Sequence, residues 1–225
     1  VLSQGAKYIG TSIGGVRITI RDVETGEILA TGTTAGTTGD TRRIMKLEQP
    51  HHTPVATEEA AAFRTTLELD RPRRIEVEAF GPLAQQQAAQ RVSATRWVVP
   101  GGHVTAGDAW TLVMPGLVVD VLGPPAHVSL GREATVELQA NVTMMCGCPI
   151  EPGGLWDGKR FRVRAVVKRN GELATEVALD YAGRASQFSA KLKDLKPGVY
   201  EATVYAYDET SGNTGVDFTT WRIAR

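Results

Sequence analysis

From Thr135 to Val142 the chain alternates strictly: Val136, Leu138, Ala140 and Val142 are apolar, and Thr135, Glu137, Gln139 and Asn141 are polar. A period of two sends successive side chains to opposite faces, so the segment predicts a strand with one face in a core and the other in water. The same pattern runs through Phe161 to Val167, returns in Phe188, Ala190 and Leu192, and returns again in Tyr200, Ala202, Val204 and Ala206. A last strand is predicted from Val216 to Ile223. Turn formers separate these runs, namely Gly171, Pro197-Gly198 and Ser211-Gly212-Asn213, in a chain with 24 glycines and 11 prolines. Long helical periodicity is nearly absent, and the pattern predicts an all-β chain.

With 25 basic and 25 acidic side chains among 225 residues, no surplus of positive charge is available for phosphate, which argues against a nucleic-acid partner. The longest apolar candidate for a membrane span, Leu112 to Leu122, is broken by Pro115, Gly116 and Asp120. The hydrophobic fraction of 42% is enough for two cores, and Gly123-Pro124-Pro125 predicts the border between them, since paired prolines deny a ladder its donors and stiffen the chain. The expected domains are 1–122 and 123–225. In the first, strands are expected at Gly15 to Asp22, Thr25 to Ala30, Thr65 to Leu69, Arg74 to Phe80, Arg96 to Val99 and Leu112 to Val121. One short helix is expected at Thr57 to Phe63, where Ala60, Ala61 and Ala62 follow a capping Thr57. The Ala84 to Gln90 run reads equally as helix or strand.

After residue 123 the predicted strands recur with turns every ~8–12 residues, and Leu195-Lys196-Pro197-Gly198-Val199-Tyr200 resembles the tyrosine corner of immunoglobulin-like sandwiches. That resemblance implies that Tyr200 bonds back to the backbone of the preceding turn. The strand after it contains no cysteine, so the inter-sheet disulfide of antibody domains has no counterpart. In the first half, the stretch from Gly15 to Ala30 is similar to the opening hairpin of carboxypeptidase regulatory-like, or transthyretin-like, domains. Two tandem β-sandwiches are the architecture these likenesses imply.

Chemistry concentrates in Met144-Met145-Cys146-Gly147-Cys148, for which three readings stand. The thiols could be small apolar packing. They could form a Cys146–Cys148 bridge closing a very small, easily reduced ring. Or Met144, Met145, Cys146 and Cys148 could present soft donors to Cu(I) or Zn, although a tetrahedral zinc would need two further ligands. The bend is expected to lie outside the hydrophobic interior. His51 and His52 read as loop histidines. No G-x-S-x-G, no H-E-x-x-H and no phosphate loop is present, and nothing in the sequence points to an enzyme.

Arg160, Arg162 and Arg164 are expected to form a basic stripe beside Thr203, Tyr205 and Tyr207. It reads either as a solvated sheet face or as a surface for a protein or carbohydrate partner. No basic-then-apolar leader stands at Val1, so if the chain is exported its signal is expected to have been removed before this numbering; the expected location is periplasmic or secreted. The expected function is a non-catalytic extracytoplasmic binding or assembly module with the Cys-Gly-Cys loop as its special site. The alternative is a periplasmic soft-metal protein.

Overall fold

The computed structural model describes residues 1–47 and 53–224, so His51 and His52 lie outside the described residues. The chain divides into two compact units, Val1–Pro115 with Met145–Gly147, and Gly116–Met144 with Cys148–Arg225.

The first unit contains β1 (Leu2–Ser3), β2 (Arg17–Asp22), β3 (Ile28–Thr33), β4 (Arg73–Gly81), β5 (Gln90–Val98) and β6 (Val113–Met114). Four of them form one antiparallel sheet in the order β3-β2-β4-β5, and β1 pairs with β6 in a short parallel ladder. Alternation buries Ile18 and Ile20 of β2 and Ile75, Val77 and Ala79 of β4 on one face. The hairpin between β2 and β3 lies where the sequence predicts it. Its turn is fixed by the Asp22 carboxylate, which accepts from the amides of Glu24 at 2.8 Å and Thr25 at 3.1 Å, and by Gly26 with φ of 75°.

The helix expected at Thr57 to Phe63 does not form. Ala60 and Ala62 instead bridge Thr37 and Ala35, because a Cβ on Gly36 would overlap Ala61 and the Glu59 carbonyl, and its absence lets the segments meet. Intrinsic helix preference is a few tenths of a kcal/mol per residue, and pairing overrides it. The short helix α1 forms instead at Thr41–Met45, where the Asp40 carboxylate accepts from the Arg43 amide at 2.6 Å. Thr65 to Leu69 shows no strand pairing, and Ala84 to Gln90 holds a 3₁₀ turn at Gln86–Ala88 before β5 begins.

The second unit contains β7 (Leu117–Gly123), β8 (Val128–Leu130), β9 (Val136–Met144), β10 (Phe161–Arg169), β11 (Glu172–Ala178), β12 (Asp180–Tyr181), β13 (Gln187–Leu192), β14 (Gly198–Asp208) and β15 (Thr214–Ile223). A five-stranded sheet ordered β11-β10-β14-β15-β8 and a four-stranded sheet ordered β12-β13-β9-β7 make the sandwich. Leu138, Ala140 and Val142 of β9 and Val163, Ala165, Val167, Ala202, Val204 and Trp221 of the other sheet are all buried. Alternation along each strand puts its apolar residues into this layer, as the sequence predicts. Asn170 and Gly171, with φ of 52° and 87°, form the tight hairpin between β10 and β11. Trp221 stacks on Tyr200 at 5.2 Å between ring centres, and the Tyr200 hydroxyl donates to the Lys196 carbonyl at 2.7 Å.

The border at Gly123-Pro124-Pro125 is corrected by the strand pairing. Leu117, Val118 and Val119 are buried in succession, and β7 pairs antiparallel with β9, so the segment expected to close the first domain opens the second. The prolines form a turn inside the second unit, where the Thr219 hydroxyl donates to the Pro124 carbonyl at 2.7 Å. The division falls instead between Pro115 and Gly116. Pro115 has no N–H, while the Gly116 amide donates to the Asn213 side-chain carbonyl at 2.9 Å and starts the new sheet. Beside this junction Gly215 touches the Leu117 carbonyl so closely that no Cβ would fit.

Candidate functional sites

The Cys-Gly-Cys bend follows β9. The chain has two cysteines, neither is free, and both are disulfide-bonded, so Cys146 is joined to Cys148 across Gly147. Gly147 has φ of 74°, a left-handed conformation that glycine adopts without steric cost. The Met144 amide donates to the Cys148 carbonyl at 3.1 Å. The Ile150 amide donates to the Ser186 hydroxyl at 3.1 Å, and the Ser186 amide donates to the Ile150 carbonyl at 2.7 Å. The expectation of an exposed bend is corrected: Cys146 is 2% and Cys148 5% exposed, and Met144 and Met145 are fully buried. The apolar run of β9 continues through Met144 into the bend, and its apolar side chains go inside. Both sulfurs are held as a disulfide rather than as thiolates, and among the described residues no group of three or more His, Cys, Asp or Glu could hold a metal ion.

The basic stripe falls on the outer face of the five-stranded sheet. Arg162 lies opposite Tyr207 and Arg164 opposite Tyr205, while Tyr205 and Thr203 lie opposite Val216 and Phe218 of β15. Arg162 pairs with Glu209, and Arg164 pairs with Glu176 at 3.5 Å, so both cations carry a counter-charge within the face. Arg160 lies in the 3₁₀ turn before β10 and reaches the buried Asp208 carboxylate at 2.9 Å. Burial pushes the Asp208 carboxyl up, but the Ser211 hydroxyl, the Thr210 amide and Arg160 outweigh it and hold the group below the usual carboxylate range. Phe218, which no motif marks, is 60% exposed on this face, with Val216 and Tyr207 also exposed. The signal was available, since the alternation from Thr214 to Ile223 that buries Trp221 must turn Val216 and Phe218 outward.

On the first unit the sequence shows no candidate pocket, yet a hollow of about 810 Å³ lies against the apolar face of β2 and β4. Ile18, Ile20, Ile75 and Val77 form its floor, and Phe63 and Trp110 stand in its walls. The Phe63 ring rests on Gly32 of β3, where a Cβ would overlap it. The Arg96 guanidinium lies 5.2 Å from the centre of the Trp110 ring. Asp108 ties the segments together, accepting from the amides of Val55 at 3.1 Å and Ala56 at 2.8 Å. Tyr8 reaches the same hollow and is 3% exposed; its hydroxyl, beside Thr111 and Asp108, has no well-formed hydrogen bond among the described residues. Burial first, and the Asp108 charge second, raise the Tyr8 pKa and keep the phenol neutral.

No family model matches the chain, and no curated protein matches it. Among solved structures it is similar to an engineered protein at 16% identity, over 57% of this chain and 24% of that one, with a TM-score of 0.37. It is similar to the fibronectin(III)-like modules of Clostridium thermocellum CbhA at 13% identity, over 92% of this chain and 77% of that one, with a TM-score of 0.34. It is also similar to the titin domains Z1Z2 from their complex with telethonin, at 10% identity, over 94% and 81% of the two chains, with a TM-score of 0.26. The scores are low, and the assignment of the chain as all-β, with a two-sheet second unit, rests on its own strand pairing.

Proposed function

We propose that this chain is a non-catalytic, extracytoplasmic assembly module that joins a second copy of itself through the outer face of β10, β14 and β15. In this reading the second unit is an immunoglobulin-like sandwich, and the Tyr200 to Lys196 bond is its tyrosine corner. The observation that carries the proposal is the exposed Phe218, on one sheet face with Val216, Tyr205 and Tyr207. Aromatic residues and arginine are enriched in protein interfaces, and a contiguous apolar patch rimmed by polar groups is the usual mark of one. A second copy suits this face because it carries both signs of charge, Arg162 and Arg164 beside Glu209 and Glu176, so a two-fold axis can set opposite charges against each other. The net charge of zero leaves no overall repulsion to oppose association. The Cys146–Cys148 bridge supports an oxidising compartment, where such bonds persist.

Sedimentation velocity across a concentration series tests the reading. Wild-type chain is expected to dimerise, and Phe218→Asp to weaken the dimer on the order of tenfold or more. A wild-type monomer at every concentration overturns the proposal, as does glycan binding that depends on Phe218.

A further inference from the structure

We infer that the hollow of the first unit is a binding site for a neutral, mainly apolar small molecule carrying one hydrogen-bond acceptor. The inference stands apart from the assembly reading, since it concerns a different unit. Its size supports a site: about 810 Å³ falls within the roughly 300–1,000 Å³ typical of ligand pockets. The four side chains of its floor are aliphatic and line the hollow, so a ligand seated there would add dispersion contacts to them.

The walls are held in place before any ligand arrives. Phe63 is seated on Gly32, Trp110 lies under Arg96, and Asp108 grips the amides of Val55 and Ala56. Walls fixed in this way cost little ordering on binding. Two aromatic walls over an aliphatic floor select a flat apolar body.

Polarity then narrows the class. An anion entering the hollow would meet the Asp108 carboxylate, while Arg64, the one lining arginine among the described residues, is exposed at the rim. The Tyr8 hydroxyl is shut from bulk water at the inner wall, and a modest turn of its ring on ligand entry would give it the acceptor it lacks. A carbonyl or ether oxygen fits that role, and water would not compete for the bond.

Fluorescence titration of the full chain with prodan, a neutral naphthyl ketone, tests the site. Wild-type chain is expected to bind one dye saturably with a blue shift, and to bind the anionic anilinonaphthalene sulfonate on the order of tenfold more weakly. Leu67→Trp, which fills the hollow from its wall, should abolish prodan binding. Tyr8→Phe should weaken it about fivefold while leaving the fold intact, because the hydroxyl it removes has no well-formed bond to lose. Phe218→Ala should leave it unchanged. Unsaturable binding, full affinity in Leu67→Trp, loss in Phe218→Ala, or equal affinity in Tyr8→Phe would each overturn the inference.

Discussion

In the second unit the inner face of β9 meets β14 and β15 across a layer filled by Leu138, Ala140, Val204 and Trp221, whereas in the first the inner face of β2 and β4 looks into a hollow of about 810 Å³. The difference begins with what covers the sheet. A second sheet offers a regular row of side chains at strand spacing, which interdigitates with the first. The segments facing β2 and β4 carry isolated bridges instead of a ladder, and they touch the sheet where Phe63 lodges on Gly32. One unit therefore closes by complementarity, and the other is left with room.

Truncating a large side chain in each unit gives the largest expected contrast. Trp221→Ala removes a fully buried ring stacked on Tyr200 and is expected to cost roughly 3–5 kcal/mol, through lost burial and a new cavity. Phe63→Ala enlarges a space that already exists, so it adds little cavity cost and is expected to destabilise by only about 1 kcal/mol. Urea unfolding followed by circular dichroism measures both. Equal costs would break the comparison.

The contrast was only partly legible in the sequence, and particular residues show why. Alternation marks a strand that has one apolar face, and β9, β10 and β14 could be located from Leu138, Val163 and Val204 and their neighbours. The same pattern turned Arg162, Arg164, Tyr205 and Tyr207 outward, but the register that sets Arg162 against Tyr207 and Arg164 against Tyr205 comes from the strand pairing. Leu112 to Val121 misled because apolar residues on both sides of Pro115 read as one strand, although β6 and β7 pair with different sheets. Ala60 to Ala62 misled because alanine favours a helix locally, and only the approach permitted by Gly36 decides otherwise. The hollow left no periodic signal, since the floor, Phe63 and Trp110 come from distant segments. The Cys-Gly-Cys bend stood out by composition, and continuing the alternation of β9 turns Met144 and Cys146 inward, but the burial of Met145 beside them follows no period of two.

The two buried tyrosines sharpen the comparison at a finer scale. Tyr200→Phe removes the bond to the Lys196 carbonyl and is expected to cost about 1 kcal/mol, while Tyr8→Phe should shift stability by no more than a few tenths of a kcal/mol. Matched urea midpoints at unchanged slope would check both, and a larger cost for Tyr8→Phe would mean that its hydroxyl has a structural partner.

Amide hydrogen exchange on the intact chain tests the central claim most directly, namely that a closed two-sheet unit shares this chain with a sheet covered by segments that form no ladder and enclose a hollow. Amides of β9, β10 and β14 are expected to exchange only near the global unfolding limit, while Thr65 to Leu69, which lacks ladder pairing, exchanges through local opening far faster. Equal protection in the two regions, or slower exchange at Thr65 to Leu69 than along β9, would contradict the account.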